Sequence, residues 1–179
     1  MLKDSSNRWM AAFMFTSVEI AGDNDFMVWV TEDQVHIYLR SGGKRVANTK
    51  FKDNEWSHLC WMWQKTGQWW TFINGKQVKT GYESDPKFKE SFPDSSGNII
   101  LGQDKDEDAI NQETQMLHGS ITQLFIYSKH LTHDEIISLY HNRPPSDNIV
   151  VGWWQFKNIA SGPDIVESAL PKEILERGL

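Results

Sequence analysis

The chain has a single cysteine, Cys60, among its 179 residues. One thiol excludes a disulfide scaffold and any cysteine-based zinc cluster within it. No apolar run approaches the ~18 residues that a membrane span requires. Positive charge is not in excess: 18 Lys and Arg stand against 24 Asp and Glu, a formal net charge of −6. A nucleic-acid-binding domain needs the opposite balance to offset phosphate charge. The opening stretch MLKDSSNR is followed by no apolar core of a secretory signal. The chain is therefore expected to be either cytosolic or a piece of something longer. No Asn-x-Ser/Thr sequon occurs, so glycosylation gives no clue to topology.

What the chain does have is core material. It is 39% hydrophobic and 12% aromatic, with nine Trp and nine Phe, which suits one globular domain over residues 1–179. Its core is expected over about 11–167, with 168–179 as a C-terminal tail. The dominant hydrophobic period is two. Ala11–Ile20 alternates, with Phe13 and Phe15 toward a buried face. Phe26–Val30 and Gln34–Leu39 flank a short polar connection, Thr31-Glu32-Asp33, and predict a hairpin. Trp56–Val78 predicts a meander: Leu59, Trp61 and Trp63 alternate with Cys60 and Met62, and Asn74-Gly75 is a type I′ turn signal. One wet face is expected for this meander. Further strands are expected at Asn98–Gly102, Leu117–Tyr127 and Ile149–Phe156, with a loop over 81–97. Only one segment reads as a helix. Thr132 and Glu135 form a capping box, Ile136, Ile137, Leu139 and Tyr140 follow at helical spacing, and Asn142 and Pro144-Pro145 stop it. The fold class is all-β: an antiparallel β-sandwich of jelly-roll type with one short helix.

Chemistry concentrates in carboxylates. Asp104-Lys105-Asp106-Glu107-Asp108 puts four acids within five residues, and Glu113 and Gln115 follow. Such density is repulsive unless something offsets it. A hard cation such as calcium, taking six to eight oxygens, would do so; so would water and salt around a solvated loop. Asp104, Asp106 and Asp108 imitate the first ligands of an EF-hand loop, but Ala109 replaces the required Gly and Gln115 the required Glu. A second oxygen cluster, Asp23-Asn24-Asp25, lies upstream. Read alone, it is also what a turn uses. One cation on a sandwich edge needs ligands from distant loops, so the two clusters gain meaning together.

The segments SVEIAGDNDFMVWV, WSHLCWMWQKTGQWWTFINGKQV, IILGQDKDEDAINQETQMLHGSITQLFIYSKHLTHDEIISLY and GWWQFKNIASG resemble, in order and spacing, a pentraxin domain, from about Ala12 to about Glu167. That resemblance implies a concanavalin A-like, calcium-dependent, lectin-like sandwich. It implies that Asp23 and Asn24 ligate calcium with Asp104, Asp106 and the main-chain carbonyl of Lys105. Glu113 and Gln115 would hold a second calcium that shares Asp104 and Asp106. Asp104 stands where the family usually has Glu, and the Glu113–Gln115 spacing is one residue short. The implied ligand is an anion: a phosphate monoester, phosphocholine or an acidic sugar. Trp29 would fall beside the pocket and cover an apolar or choline-like group; plain core packing is its other reading. Family members are extracellular and form rings, although no self-complementary face is legible in this sequence.

In the same family a cysteine at the position of Cys60 pairs with one on an earlier strand. No partner exists here, so the first strands are expected to be missing. Catalysis is not expected. Sandwich glycosidases carry Glu-x-Asp-x-x-Glu on one strand, and that spacing is absent. His130, His133 and His141 make no HExxH pattern, and His58 beside Cys60 has nothing to complete a nucleophile site. The competing reading is a calcium-independent adhesion or protein-interaction domain of laminin G type, part of a larger extracellular or receptor protein.

Overall fold

The computed structural model describes residues 10–17, 26–39, 43–48, 51–84, 86, 97–103, 105–106, 109–110 and 116–156. Period-two alternation builds its first sheet. β1 (Met10–Ser17), β2 (Phe26–Val30) and β3 (Gln34–Leu39) pair antiparallel, in the order of the chain. The bounds of β2 and β3 are those the sequence predicts, and the hairpin between them forms. Thr31 N–H donates to the Gln34 carbonyl at 2.9 Å, and Gln34 N–H donates to Thr31 Oγ1 at 3.1 Å. A bulge between Ala11 and Phe13 shifts the register of β1. It sets Met10, Phe13 and Phe15 on the core face and Ala11 and Met14 on the other. β4 (Gly43–Asn48) pairs with β3. Its sequence, GKRVAN, carries too little apolar alternation to announce a strand.

The meander forms as the second sheet: β5 (Leu59–Trp63), β6 (Gln68–Ile73) and β7 (Lys76–Tyr82). Asn74 and Gly75 both have positive φ, 50° and 76°, as a type I′ turn requires. Gly75 also packs closely under the helix. A Cβ there would lie 2.9 Å from Ile137 Cδ1. β8 (Gly97–Leu101) completes the first sheet on the far side of β1, giving the order β4-β3-β2-β1-β8.

β9 (Lys105–Asp106) and β10 (Ala109–Ile110) make a small hairpin. β11 (Ile126–Tyr127) pairs with β12 (Ile149–Val151). The expected strand over 117–127 is a ladder only at its end. Gln123 takes φ 58°, which breaks extended pairing, although Leu117, Leu124 and Ile126 still pack on the core. The expected strand over 149–156 is likewise short, because Trp153–Gln155 winds into a 3₁₀ turn.

The main core lies between the two sheets. Phe13, Val28, Val30, Val35 and Ile37 meet Ile73, with Leu59 and Trp61 packed against them. Rings dominate the contact: Phe26 stacks on Trp61 at 5.2 Å and Trp61 on Trp63 at 4.9 Å, pairs worth ~1 kcal/mol each beyond their burial. The expected wet face of the meander is covered at β5 and β6. There Met62 and Phe72 form a second core with Leu131 and Ile136, flanked by Cys60 and Trp70. Ile136 belongs to α1 (His133–Tyr140), whose predicted capping box is formed. Glu135 N–H donates to Thr132 Oγ1 at 3.3 Å, and Thr132 N–H donates to Glu135 Oε2 at 2.8 Å. Asn142, at φ 60°, ends the helix. The result is three layers, sheet on sheet on helix. No helix among the described residues is long and apolar enough to cross a membrane.

Candidate functional site

Alternation decides where Trp29 points. Phe26, Val28 and Val30 of β2 enter the core, so Met27 and Trp29 occupy the opposite, outer face of the five-stranded sheet. Trp29 is therefore not packed in the sandwich core, and its half-buried ring lies on the outer face. Across the ladders it faces Ala11 on one side and His36 on the other. Its indole N–H donates to Met27 Sδ. His36 is 2% exposed, and its Nε2 shares a 2.6 Å hydrogen bond with Gln34 Oε1. Met14, Met27 and Ala11 are buried on this same face. The sheet is thus apolar on both sides, which a single-faced core does not require. Sequence reasoning singled out Trp29 but passed over Met27 and His36. The signal was available: in FMVWV and QVHIYL, residues 27, 29 and 36 fall on one side.

The acidic segment follows β8, on the far side of β1 from this tryptophan. β8 pairs with β1 from Ser17↔Gly97 to Phe13↔Leu101. The next residue, Gly102, donates its N–H to the Ala12 carbonyl at 3.2 Å. Its φ of 75° turns the chain out of the sheet. Lys105-Asp106 then forms β9, opposite Ala109-Ile110. The acidic segment and Trp29, whose neighbour on β1 is Ala11, therefore stand at one end of the sheet, two strands apart.

Asp23, Asn24, Asp104, Glu113 and Gln115 lie outside the described residues. The segment carrying Asp23 and Asn24 joins β1 to β2, so it leaves the sheet at the Ser17/Phe26 end. Asp104–Asp106 leaves from the Phe13 end. The span between these ends is four residue steps, ~13 Å. To share an ion, the two segments have to bridge that span. Among the described residues, no group of three His, Cys, Asp or Glu could hold a metal.

The remaining reactive groups have structural settings. Burial pushes the Cys60 thiol up to about 12, which keeps it protonated and unreactive at neutral pH. His58 is engaged by the meander turn: its N–H donates to Asn74 Oδ1, and its carbonyl accepts from Asn74 N–H, each at 2.9 Å. Lys129 bridges Glu135 Oε1 at 2.5 Å and Asp147 Oδ2 at 2.7 Å. Hydrogen bonds from Lys129 hold both carboxyls below their ordinary values. Burial pushes the nearby Tyr127 hydroxyl up to about 12, and this hydroxyl donates to the Pro145 carbonyl at 3.1 Å. These contacts pin α1 and β12 together and offer no catalytic constellation.

Two antiparallel sheets packed face to face define a lectin-like β-sandwich. A family model, that of the concanavalin A-like lectin/glucanases superfamily, matches residues 3–137, and the chain belongs to this superfamily. Among solved structures it is similar to the native heptameric SAP-like pentraxin from Limulus polyphemus. That match has a TM-score of 0.63 and 17% identity, over 80% of this chain and 70% of the pentraxin. It is also similar to a protein from Bacteroides ovatus named for carbohydrate binding, with a TM-score of 0.57 and 11% identity, over 82% of this chain and 41% of that one. At these identities the likeness is one of fold. No curated protein sequence matches the chain.

Proposed function

We propose that this chain is a non-catalytic, calcium-dependent binding module that takes anionic ligands on the outer face of its five-stranded sheet. The observation that supports the reading is that Trp29 and the strand leading into the acidic segment end at the same end of the sheet, two strands apart. An indole suits an apolar or cationic headgroup, and a carboxylate cluster suits a cation that in turn attracts an anion. The donor set fits calcium chemically, since it consists of carboxylate, amide and carbonyl oxygens. Asp23, Asn24, Asp104, Asp106 and the main-chain carbonyl of Lys105 would hold one ion; Glu113 and Gln115, with Asp104 and Asp106, would hold a second. When bound, calcium would supply positive charge with coordination positions open to a phosphate monoester, phosphocholine or an acidic sugar. The chain's own residues would do the rest. Met27 fixes the Trp29 indole through its N–H, and the buried His36–Gln34 pair stiffens the strand beside it.

The names of the two structural neighbours, a heptameric pentraxin and a protein named for carbohydrate binding, support a ring-forming, glycan-binding module; that it is secreted rests on the pentraxin resemblance of the sequence. Calorimetric titration with phosphocholine tests it. Saturable heat is expected in calcium and none in EDTA. A calcium-independent protein-interaction domain of laminin G type is the second reading. It is favoured by the departure of residues 23–24 from the opposite end of the sheet, and it requires phosphocholine and calcium to be without effect.

A further inference from the structure

β5 is an edge strand. Among the described residues it pairs with β6 alone, in the order β5-β6-β7. In an antiparallel ladder, alternate residues turn both main-chain groups toward the partner strand, and the residues between them turn both away. The hydrogen-bonded positions are fixed at the two ends of β5. Asn74 N–H donates to the His58 carbonyl at 2.9 Å, and Gln64 N–H donates to the Gln68 carbonyl at 2.8 Å. Residues 58, 60, 62 and 64 therefore face β6. The N–H and C=O groups of Leu59 and Trp61 point the other way, and no main-chain partner meets them among the described residues.

A cavity of about 1010 Å³ lies along that edge, a slot lined by residues 55–65 on one wall and 120–131 on the other. The far wall is bare in the same sense. Among the described residues, 121–125 take part in no main-chain hydrogen bond before β11 begins at Ile126. Two runs of backbone thus lack partners on either side of one space. Such groups are rarely left unpaired, and a bare edge is a template for another strand. The remaining sides are apolar. Phe15, Ile99 and Leu101 close the slot toward the first sheet, and Leu131 and Leu139 close it toward α1.

We infer that this slot accepts one extended segment of a partner polypeptide, about five to seven residues long and apolar on both faces. The length matches β5, which has five residues. The main chain of the added strand pairs with Leu59 and Trp61, and its other edge meets residues 121–125. It thereby joins the β5-β6-β7 sheet to the β11-β12 pair. The described strands all belong to ladders of their own, so none of them is spare to fill the slot. A slot walled on both sides admits a lone strand rather than the sheet edge of a second folded copy. The site needs no cation and stands apart from the calcium reading.

A synthetic peptide, KKVIVTVIVKK, labelled with fluorescein, tests the inference on the full chain by anisotropy. Saturable binding at one site per chain is expected, unchanged by EDTA. With ¹³C carbonyls in the peptide, the bound amide band should be that of a sheet. The same peptide N-methylated at every second residue keeps its side chains but cannot form a ladder, and should bind about tenfold more weakly or worse. Leu59→Pro removes one outward N–H and leaves the bonds to β6 in place; it should weaken binding about fivefold or more. The N-methylated peptide gives its answer on the wild-type chain, whatever the fold of that variant. The inference is overturned if the wild-type chain shows no saturable binding, or if the N-methylated peptide binds as tightly as the parent. It is equally overturned if the chain forms dimers that the peptide breaks apart, which would give the slot to a second copy.

Discussion

Trp29 stands directly across the β2–β3 ladder from His36, on the side of the sheet that faces away from the sandwich core. His36 is buried and hydrogen-bonded, whereas Trp29 keeps part of its ring exposed. A core tryptophan contributes mainly to stability; on the proposed reading, Trp29 contacts the guest. Trp29→Ala is therefore expected to lower phosphocholine affinity about tenfold or more, the order of a lost cation–π and stacking contact. Calcium-induced stabilisation should be retained. Calorimetry on the variant, with and without calcium, checks both halves.

Ile136 has no exposed surface and plugs the layer between α1 and the meander, against Met62, Phe72 and Leu131. Ile136→Ala should cost about 3 kcal/mol, the transfer term plus the cavity it leaves. Val150, 56% exposed on β12, should tolerate Ala with a change within about 0.5 kcal/mol. Urea unfolding of the two variants side by side gives the comparison.

The helix and its cap were legible because both signals are local. Thr132 and Glu135 lie three residues apart, and the apolar spacing after them is helical. The strands β2, β3 and β5–β7 were legible for the same reason: alternation and an Asn-Gly turn are read over a few residues. The strand β4 was not, since Gly43–Asn48 owes its ladder to the edge that β3 offers rather than to its own pattern. The break in 117–125 shows in the sequence only as a bulge-like change of apolar parity between Ile121 and Leu124, because Gln123, which takes positive φ, carries no glycine or proline signal. The wet face expected for the meander failed because burial by α1 is a long-range fact that period two cannot carry. The candidate site rests on residue types alone, and for Trp29 the sequence left pocket and core packing both open until the alternation of β2 put it on the outer face. How residues 23–24 and 104–106 approach each other depends on loop paths that spacing does not encode.

Cys60, with its thiol raised to about 12 by burial, should be inert toward Ellman's reagent at pH 8. Its thiolate fraction there is roughly one in ten thousand. Full reaction of the one thiol is expected only in denaturant. Fast labelling of the native chain would mean that the layer between β5 and α1 opens readily.

The Lys129 bridge sets an acid response. Glu135 and Asp147 have ordinary values of 4.5 and 3.8, and hydrogen bonds from Lys129 lower both in the fold. Carboxyls depressed in this way add stability above their unfolded values and lose it as pH falls through the lowered ones. Melting temperature should therefore decline as pH drops below about 4.5, and Lys129→Met should flatten that decline. Melts from pH 7 down to pH 3 on both chains measure the difference in slope.

The central claim is that two stretches leaving opposite ends of one sheet hold the same ion. Calcium affinity by calorimetry for wild type, Asp23→Ala, Asp106→Ala and the double variant tests it most directly. Shared coordination predicts tight binding in wild type, a loss of a hundredfold or more in each single variant, and little further loss in the double variant, the non-additivity of groups that act together. Absence of calcium binding by the wild-type chain, or losses that simply add, would contradict it.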